Sequence, residues 1–259
     1  MFISNLLLFF VTFLGGSLPL WFKGIDDRRT NYLLAFSGSF LLSITLLHLL
    51  PETFEELGHE AGLFLLGGFF IQLLIQRFTH GVEHGHTHVH VEGHHHEHHG
   101  HDHHSHDHGH TIHRIPLYSI ILGLSLHAFM EGIPLGFNYR LEGTQSSLYL
   151  AVGAHKLPEA MLLTSLVLRF KGRRQALIIL LLFSLITPIA SMLADVLGKQ
   201  YMLMSKIVMW VIPVVAGAFI HIATTIFFES GTRQHLLSWQ KTGAILIGVG
   251  LGLATLLFE

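Results

Sequence analysis

The chain has 259 residues, of which 50% are hydrophobic and only 12% are charged, and its formal net charge is −2. A soluble globular protein normally carries about 25% charged residues, so this composition and a mean hydropathy of +0.52 exclude an ordinary soluble domain and indicate a membrane protein. The absence of cysteine excludes disulfides and thiolate metal sites.

The apolar residues fall in blocks long enough to cross the ~30 Å hydrocarbon core of a bilayer as α-helices. We therefore predict an all-α membrane protein, a single domain of residues 1–259 with eight transmembrane helices. The first block has neither a basic flank nor a small-residue cleavage site, so we expect a retained span and not a signal peptide. The predicted spans are about 2–22, 31–50, 61–78, 115–138, 147–168, 174–197, 203–228 and 241–258.

Residues 80–113, between the third and fourth spans, hold 17 of the 23 histidines, mixed with Gly, Glu, Asp and Ser. The segment is too polar and too rich in glycine to fold alone, so we predict a disordered loop. Neutral imidazoles bind divalent metal ions. Without a fixed geometry, we expect this loop to bind several kinds of metal and not to form a defined site.

Lys and Arg are distributed unevenly between the two sides of the predicted helices. With the N-terminus outside, eleven of them lie on the inner side, three lie on the outer side and one lies within a span. Positive residues favour the cytoplasmic side of a membrane. We therefore predict an inner or plasma membrane protein with both termini outside and the histidine-rich loop in the cytoplasm. The connection PETFEELGHE between the second and third spans then lies outside, where its acidic residues would attract cations.

Spans four and five each carry the pattern His-x-x-x-Glu, as His127–Glu131 and His155–Glu159. Residues four apart lie on one face of an α-helix, one turn above the other. An ionisable group at bilayer depth costs roughly 2.5–3.5 kcal/mol by insertion scales, so it usually faces a partner, an ion or a pathway. Two nitrogens and two oxygens suit Zn²⁺ and similar ions. The two pairs therefore predict a metal site within the membrane.

Each of these spans also contains a proline, which lacks an N–H and so frees a main-chain carbonyl one turn earlier. Pro134 frees the carbonyl of Met130, and Pro158 frees that of Ala154, next to His155. Freed carbonyls are tolerated at membrane depth where protein or a water-filled cavity satisfies them. The alternative to a metal site is that the His and Glu side chains only tie neighbouring helices together.

Other ionisable residues allow more than one interpretation. Span two ends in HLLPE, with His48 and Glu52 at the same spacing. They are either a point on the metal pathway near the outer surface or an interfacial histidine and a helix-end carboxylate. One interpretation of Lys156 is a lysine that snorkels to the membrane surface or pairs with a carboxylate, and the other is that it neutralises Glu159 or takes the place of a second metal. The two interpretations are compatible. We interpret His221 as a hydrogen-bonded packing residue.

No motif indicates other chemistry, because the chain lacks an HExxH helix, a phosphate-binding P-loop and a GxSxG turn. We therefore expect no enzyme activity, no cofactor and no nucleic-acid partner. The expected partners are the lipid bilayer and a transported divalent metal, and a homodimer is compatible with the sequence.

The eight-span layout, the histidine-rich loop, and the motifs HAFMEG and HKLPEA on spans four and five resemble the ZIP (Zrt/Irt-like protein) family of divalent metal transporters. The likeness covers nearly the whole chain, and its specificity rests on those two spans. It implies import of Zn²⁺, Fe²⁺, Mn²⁺ or Cd²⁺ into the cytoplasm by alternating access, with spans one, four, five and six sliding against the rest. It also implies that the primary metal site consists of His127, Glu131, His155 and Glu159.

Many family members hold a second metal beside the first. The matching positions here are Ala128, Lys156 and Thr187, so the resemblance implies that the second site is absent and that Lys156 supplies its charge.

Two other classes of function remain as alternatives. One is a metal exporter of the cation-diffusion-facilitator kind, which would have about six spans and sites rich in Asp. The other is a membrane-bound metal sensor in which the histidine-rich loop is the functional part.

Overall fold

The structure is a computed structural model that describes residues 1–22, 27–79, 117–136, 145–229 and 238–257. The predicted histidine-rich loop lies outside these residues. The regular structure in the described part of the chain is helical throughout, and its helices are α1 (Phe2–Trp21), α2 (Asp27–Ile44), a π-helical segment (Thr45–Leu49), α3 (Leu50–Leu57), α4 (Glu60–Thr79), α5 (Leu117–Gly136), α6 (Gln145–Lys171), α7 (Arg173–Gln200), α8 (Met202–Glu229) and α9 (Trp239–Thr255).

The second predicted span is longer than its hydropathy suggested, because α2, the π-helical segment and α3 follow one another without a break. Pro51 lies directly after the π-helical segment, at the start of α3, and it lacks the N–H that would continue the helical hydrogen bonds. The wider π turn closes with the N–H of Leu50 donating to the carbonyl of Thr45. The acidic stretch that we predicted as a connection is therefore mostly helix. It ends at Gly58, whose φ of 57° favours glycine.

Within the described residues, six helical stretches are long and apolar enough to cross a membrane: Phe2–Trp21, Thr30–Leu57, Glu60–Arg77, Leu117–Gly136, Arg173–Gln200 and Met209–Ile226. The other two predicted spans, α6 and α9, do not meet that description. Ionisable residues interrupt the apolar sequence of α6, and α9 has only 17 residues.

The helices pack as two groups. In the first group α5 packs against α7 and α1 packs against α6, and in the second α4 packs against α8 and α2 packs against α9. The groups meet where α2 contacts α6 and α8 contacts α7. A buried cluster from Leu117 on α5 to Phe183 on α7 fills the first group around Leu163 of α6. Because α6 is enclosed by α1, α2 and α7, the ionisable side chains in its middle turns, those of His155, Lys156 and Glu159, are buried inside the protein.

Glycines allow α4 and α8 to approach backbone to backbone. A Cβ atom added at Gly68 would collide with the main chain of Val214, and one added at Gly217 would collide with the main chain of Leu65. Small residues at such crossings let helices pack closely in a membrane, where lipid removes the hydrophobic drive for association.

We therefore expect Gly68→Leu to destabilise the protein by about 3 kcal/mol, which lowers the unfolding temperature by about 6–12 °C. The matched control is Gly67→Leu, because a Cβ at Gly67 meets no atom within 4 Å. Thermal unfolding of the detergent-solubilised variants measures the difference. Equal unfolding temperatures for the two variants would contradict the crossing described here.

Candidate metal centre

The first half of the centre lies on α5. The buried residues of this helix recur every three or four positions, and His127 and Glu131 lie on that buried stripe. Both side chains are almost fully enclosed, with relative exposures of 1% and 0%. The helix continues through Pro134 to Gly136. The i, i+4 spacing therefore places an imidazole and a carboxylate on one inward face, as the sequence predicted.

The second half of the centre lies on α6, which also runs through its proline, Pro158. His155, Lys156 and Glu159 are buried, with relative exposures of 1–2%. Buried ionisable residues at adjacent helix positions need partners within the protein. These three residues meet the pair on α5.

The four predicted ligands converge on one point. One ligand atom from each of His127, Glu131, His155 and Glu159 lies within 4.8 Å of the others. His127 Nε2 is 3.0 Å from Glu131 Oε1 and 4.0 Å from Glu159 Oε1. His155 Nε2 is 4.0 Å from Glu131 Oε1. The two imidazole rings are perpendicular, with centroids 6.0 Å apart.

These separations fit a divalent cation. Nitrogen and oxygen ligands lie about 2.0–2.2 Å from Zn²⁺, so two ligands of a tetrahedral ion are about 3.3 Å apart. The longest separation in the cluster exceeds that value by about 1.5 Å, which small side-chain rotations can close. Glu159 Oε1 is buried and accepts no hydrogen bond within the described residues. A bound cation would satisfy this oxygen.

Lys156 lies on the side of the two carboxylates that faces away from the histidines. Its Nζ is paired with Glu131 Oε2 and lies 2.5 Å from Glu159 Oε2. Each carboxylate therefore presents one oxygen to the lysine and the other to the histidines. The ammonium group also lies over the ring of Phe183, 5.1 Å from its centroid, which is a favourable position for a cation. The alternative of a lysine that snorkels to the membrane surface is wrong.

The two remaining positions of the implied second metal site lie together but offer no ligand. Thr187 is buried, and its hydroxyl donates to the main-chain carbonyl of Ala128 at 2.9 Å. This hydrogen bond joins α5 to α7 beside the four-residue cluster. Ala128 has no side chain able to bind a metal.

The structure separates the other ionisable residues from the cluster. His48 Nε2 lies 2.8 Å from Thr255 Oγ1 on α9, and Glu52 follows it one turn later on α3. Within the described residues, His48 therefore contacts α9, and neither His48 nor Glu52 belongs to the four-residue cluster. His221 Nε2 lies 2.7 Å from Gln76 Oε1 on α4, as expected for a packing residue.

Two residues that contact His155 or Lys156 were not predicted from the sequence. Phe183 lies against Lys156, and Ser37 Oγ on α2 lies 3.5 Å from His155 Nδ1. Nothing in the sequence distinguishes these two residues, because phenylalanine and serine are both ordinary residues of a membrane helix.

Comparison with known proteins agrees with the resemblance. A family model described as ZIP Zinc transporter matches residues 1–258, which is the whole chain except its last residue. No curated protein matches the chain.

Proposed function

Because the chain belongs to the ZIP zinc transporter family, we propose that it imports a divalent metal ion into the cytoplasm, with Zn²⁺ as the favoured substrate. The family consists of divalent metal transporters, and the apolar helices agree with a multi-pass membrane protein. The observation that carries the proposal is the buried cluster, in which two neighbouring helices bring two imidazoles and two carboxylates within 4.8 Å of one another.

In the proposed site, His127 and His155 supply nitrogen ligands, and Glu131 and Glu159 each supply the oxygen that faces away from Lys156. Imidazole and carboxylate ligands without a thiolate suit Zn²⁺, and also Fe²⁺, Mn²⁺ and Cd²⁺. The metal is the transported substrate, and the proposal includes no cofactor.

We further propose that the site holds one metal ion and not two. Lys156 Nζ contacts both carboxylates on the side where a second cation would share them. Its positive charge already offsets part of the negative charge there. A second divalent ion at that place would meet direct repulsion from the ammonium group.

The proposed topology has eight spans, with α6 and α9 added to the six stretches that are apolar enough alone. The ionisable residues that lower the hydropathy of α6 are buried inside the protein, so they do not face lipid. The 17 residues of α9 extend about 25 Å, close to the thickness of the hydrocarbon core. The excess of Lys and Arg on one side supports termini outside and a cytoplasmic histidine-rich loop.

Alternating access requires two bodies that move past each other while the metal stays bound to one of them. All four proposed ligands lie on α5 and α6, within the first helix group. The second group contains α2, α4, α8 and α9 and contributes none of the four. We propose that relative movement of these two groups exposes the site first to one side and then to the other.

Uptake of radiolabelled zinc by proteoliposomes, competed with a panel of divalent ions, tests this function. The proposal predicts saturable uptake that runs towards the side carrying the histidine-rich loop and is inhibited best by ions that bind imidazole. Flux only in the opposite direction would favour an exporter, and metal binding without flux would favour a sensor.

Deleting residues 84–110 distinguishes the transporter from the sensor. Because the proposed ligands lie on α5 and α6 and not in this loop, we expect zinc flux to stay within about threefold of the wild-type value. The measurement is initial uptake rate at matched protein content per liposome. A loss of all metal response on deletion would support the sensor.

A further inference from the structure

Ser37 brings a third helix to the metal centre. It lies on α2 and is completely buried, and its hydroxyl oxygen lies 3.5 Å from Nδ1 of His155 on α6, at the long limit of a hydrogen bond. The same hydroxyl donates to the main-chain carbonyl of Leu34 at 3.2 Å. A hydroxyl has one hydrogen to donate. When that hydrogen is given to Leu34, the oxygen accepts from Nδ1 of His155.

This arrangement determines which nitrogen of His155 is available to a metal. If Ser37 accepts, Nδ1 carries the hydrogen, and the lone pair of the neutral ring lies on Nε2. Nε2 is the atom that faces the cluster, 4.0 Å from Glu131 Oε1. The contact with Ser37 therefore favours both the tautomer and the ring orientation that metal binding needs.

Among the described residues, the other histidine of the centre has no such partner. His127 Nδ1 is buried and makes no hydrogen bond within the part of the chain that the structure describes. Of the two histidines, His155 is therefore the one whose Nδ1, the ring nitrogen that does not face the cluster, contacts a side chain of another helix. Groups that hold the outer nitrogen of a histidine ligand typically contribute 10–100-fold to metal affinity.

We propose that Ser37 is a positioning residue for His155, and that α2, which carries none of the four proposed ligands, thereby contributes to the preference of the site for Zn²⁺. This inference rests on the proposed function. The contact lies where the two helix groups meet, since α2 packs against α9 in one group and against α6 in the other. The orientation of His155 thus depends on how α2 is seated against α6.

The test compares uptake of Zn²⁺ and Mn²⁺ by proteoliposomes containing the full-length protein or its variants. Ser37→Ala is expected to raise the KM for Zn²⁺ about tenfold or more with little change in kcat. The KM for Mn²⁺ is expected to change by about threefold at most, because Mn²⁺ relies more on carboxylate ligands than on imidazole. Ser37→Thr keeps the hydroxyl and is expected to restore the preference for Zn²⁺.

Ser39→Ala is the matched control. Ser39 is also buried on α2, and its hydroxyl also donates to a main-chain carbonyl, that of Phe36 at 2.8 Å. If the loss of a serine hydroxyl acted only through the protein's structure, Ser37→Ala and Ser39→Ala would each change the KM for Zn²⁺ and the KM for Mn²⁺ to the same extent.

The inference is overturned if Ser37→Ala leaves the KM for Zn²⁺ within about twofold of wild type or weakens uptake of the two ions equally. If the wild-type protein transports neither ion, the proposed function itself fails, and the two failures are thus distinguishable.

Discussion

Replacing His155 with alanine is expected to abolish zinc uptake while the protein still folds and inserts. The variant removes one of two nitrogen ligands from a buried site, and it leaves Glu131 Oε1 without the imidazole that lies 4.0 Å away. Because even an outer-shell partner contributes 10–100-fold to metal affinity, we expect the loss of a direct ligand to lower uptake by about 100-fold or more. Initial rates in proteoliposomes at matched protein content measure the effect.

Glu131→Ala is expected to give the same result, since Glu131 contacts His127 and Lys156 and faces His155. The matched control is His221→Ala. His221 is also a buried histidine in a membrane helix, but it bonds to Gln76 and lies outside the cluster. We expect this control to keep zinc uptake. Near-normal uptake in the His155 or Glu131 variant would show that the ligand assignment is wrong.

Lys156→Met is expected to destabilise the protein in the absence of metal and to make its stability strongly dependent on zinc. The substitution keeps much of the side-chain length but leaves the two carboxylates of Glu131 and Glu159 without their shared cation. Breaking a buried ion pair by removing one partner costs about 3–5 kcal/mol. A divalent ion bound between the carboxylates replaces the lost charge, and a ligand that binds only the folded state stabilises it.

Thermal unfolding with and without added zinc checks this prediction. Zinc should raise the unfolding temperature of Lys156→Met more than that of wild type. Lys241→Met is the matched control, because Lys241 is also buried, at 4% exposure, but its Nζ lies 3.5 Å from the main-chain carbonyl of Ile226. An equal zinc effect in the two variants would contradict the role of Lys156 as a charge held in place of a second metal.

Runs of apolar residues in the sequence were sufficient to predict several of the membrane helices. The first predicted span, about 2–22, corresponds to α1, Phe2–Trp21, and the fourth, about 115–138, corresponds to α5, Leu117–Gly136. The sequence did not predict that α2 continues through a π-helical segment into α3, because a proline such as Pro51 inside a helical pattern normally indicates a break or a kink. The hydropathy pattern ended that span seven residues too early.

The candidate site was also predictable only in part, because residue spacing is visible in the sequence and contacts between helices are not. Spacing alone placed the His and Glu of each pair on one face of a helix. However, HLLPE in the π-helical segment and α3 shares that spacing with HKLPE on α6. Of the two motifs, only HKLPE reaches the cluster, because His48 lies against Thr255 of α9. Motif spacing determines the face of a helix, and tertiary packing determines what that face meets.

Ser37 and Lys156 required coordinates for a related reason. Ser37, Ser39 and Ser43 all lie on α2 and all donate to main-chain carbonyls, so their sequence context does not distinguish them. Only the approach of α2 to α6 identifies Ser37 as the contact of His155. Lys156 was recognised as unusual from its position, but its contact with both carboxylates depends on how α5 and α6 are rotated towards each other.

Anomalous X-ray scattering at the zinc absorption edge, from crystals of the zinc-loaded protein, tests the proposed one-metal site. We expect one zinc peak at membrane depth, about 2.0–2.2 Å from nitrogens of His127 and His155 and oxygens of Glu131 and Glu159. Lys156 should remain on the far side of the two carboxylates. A pair of peaks flanking the carboxylates, or zinc bound within the helices but away from these four side chains, would contradict it.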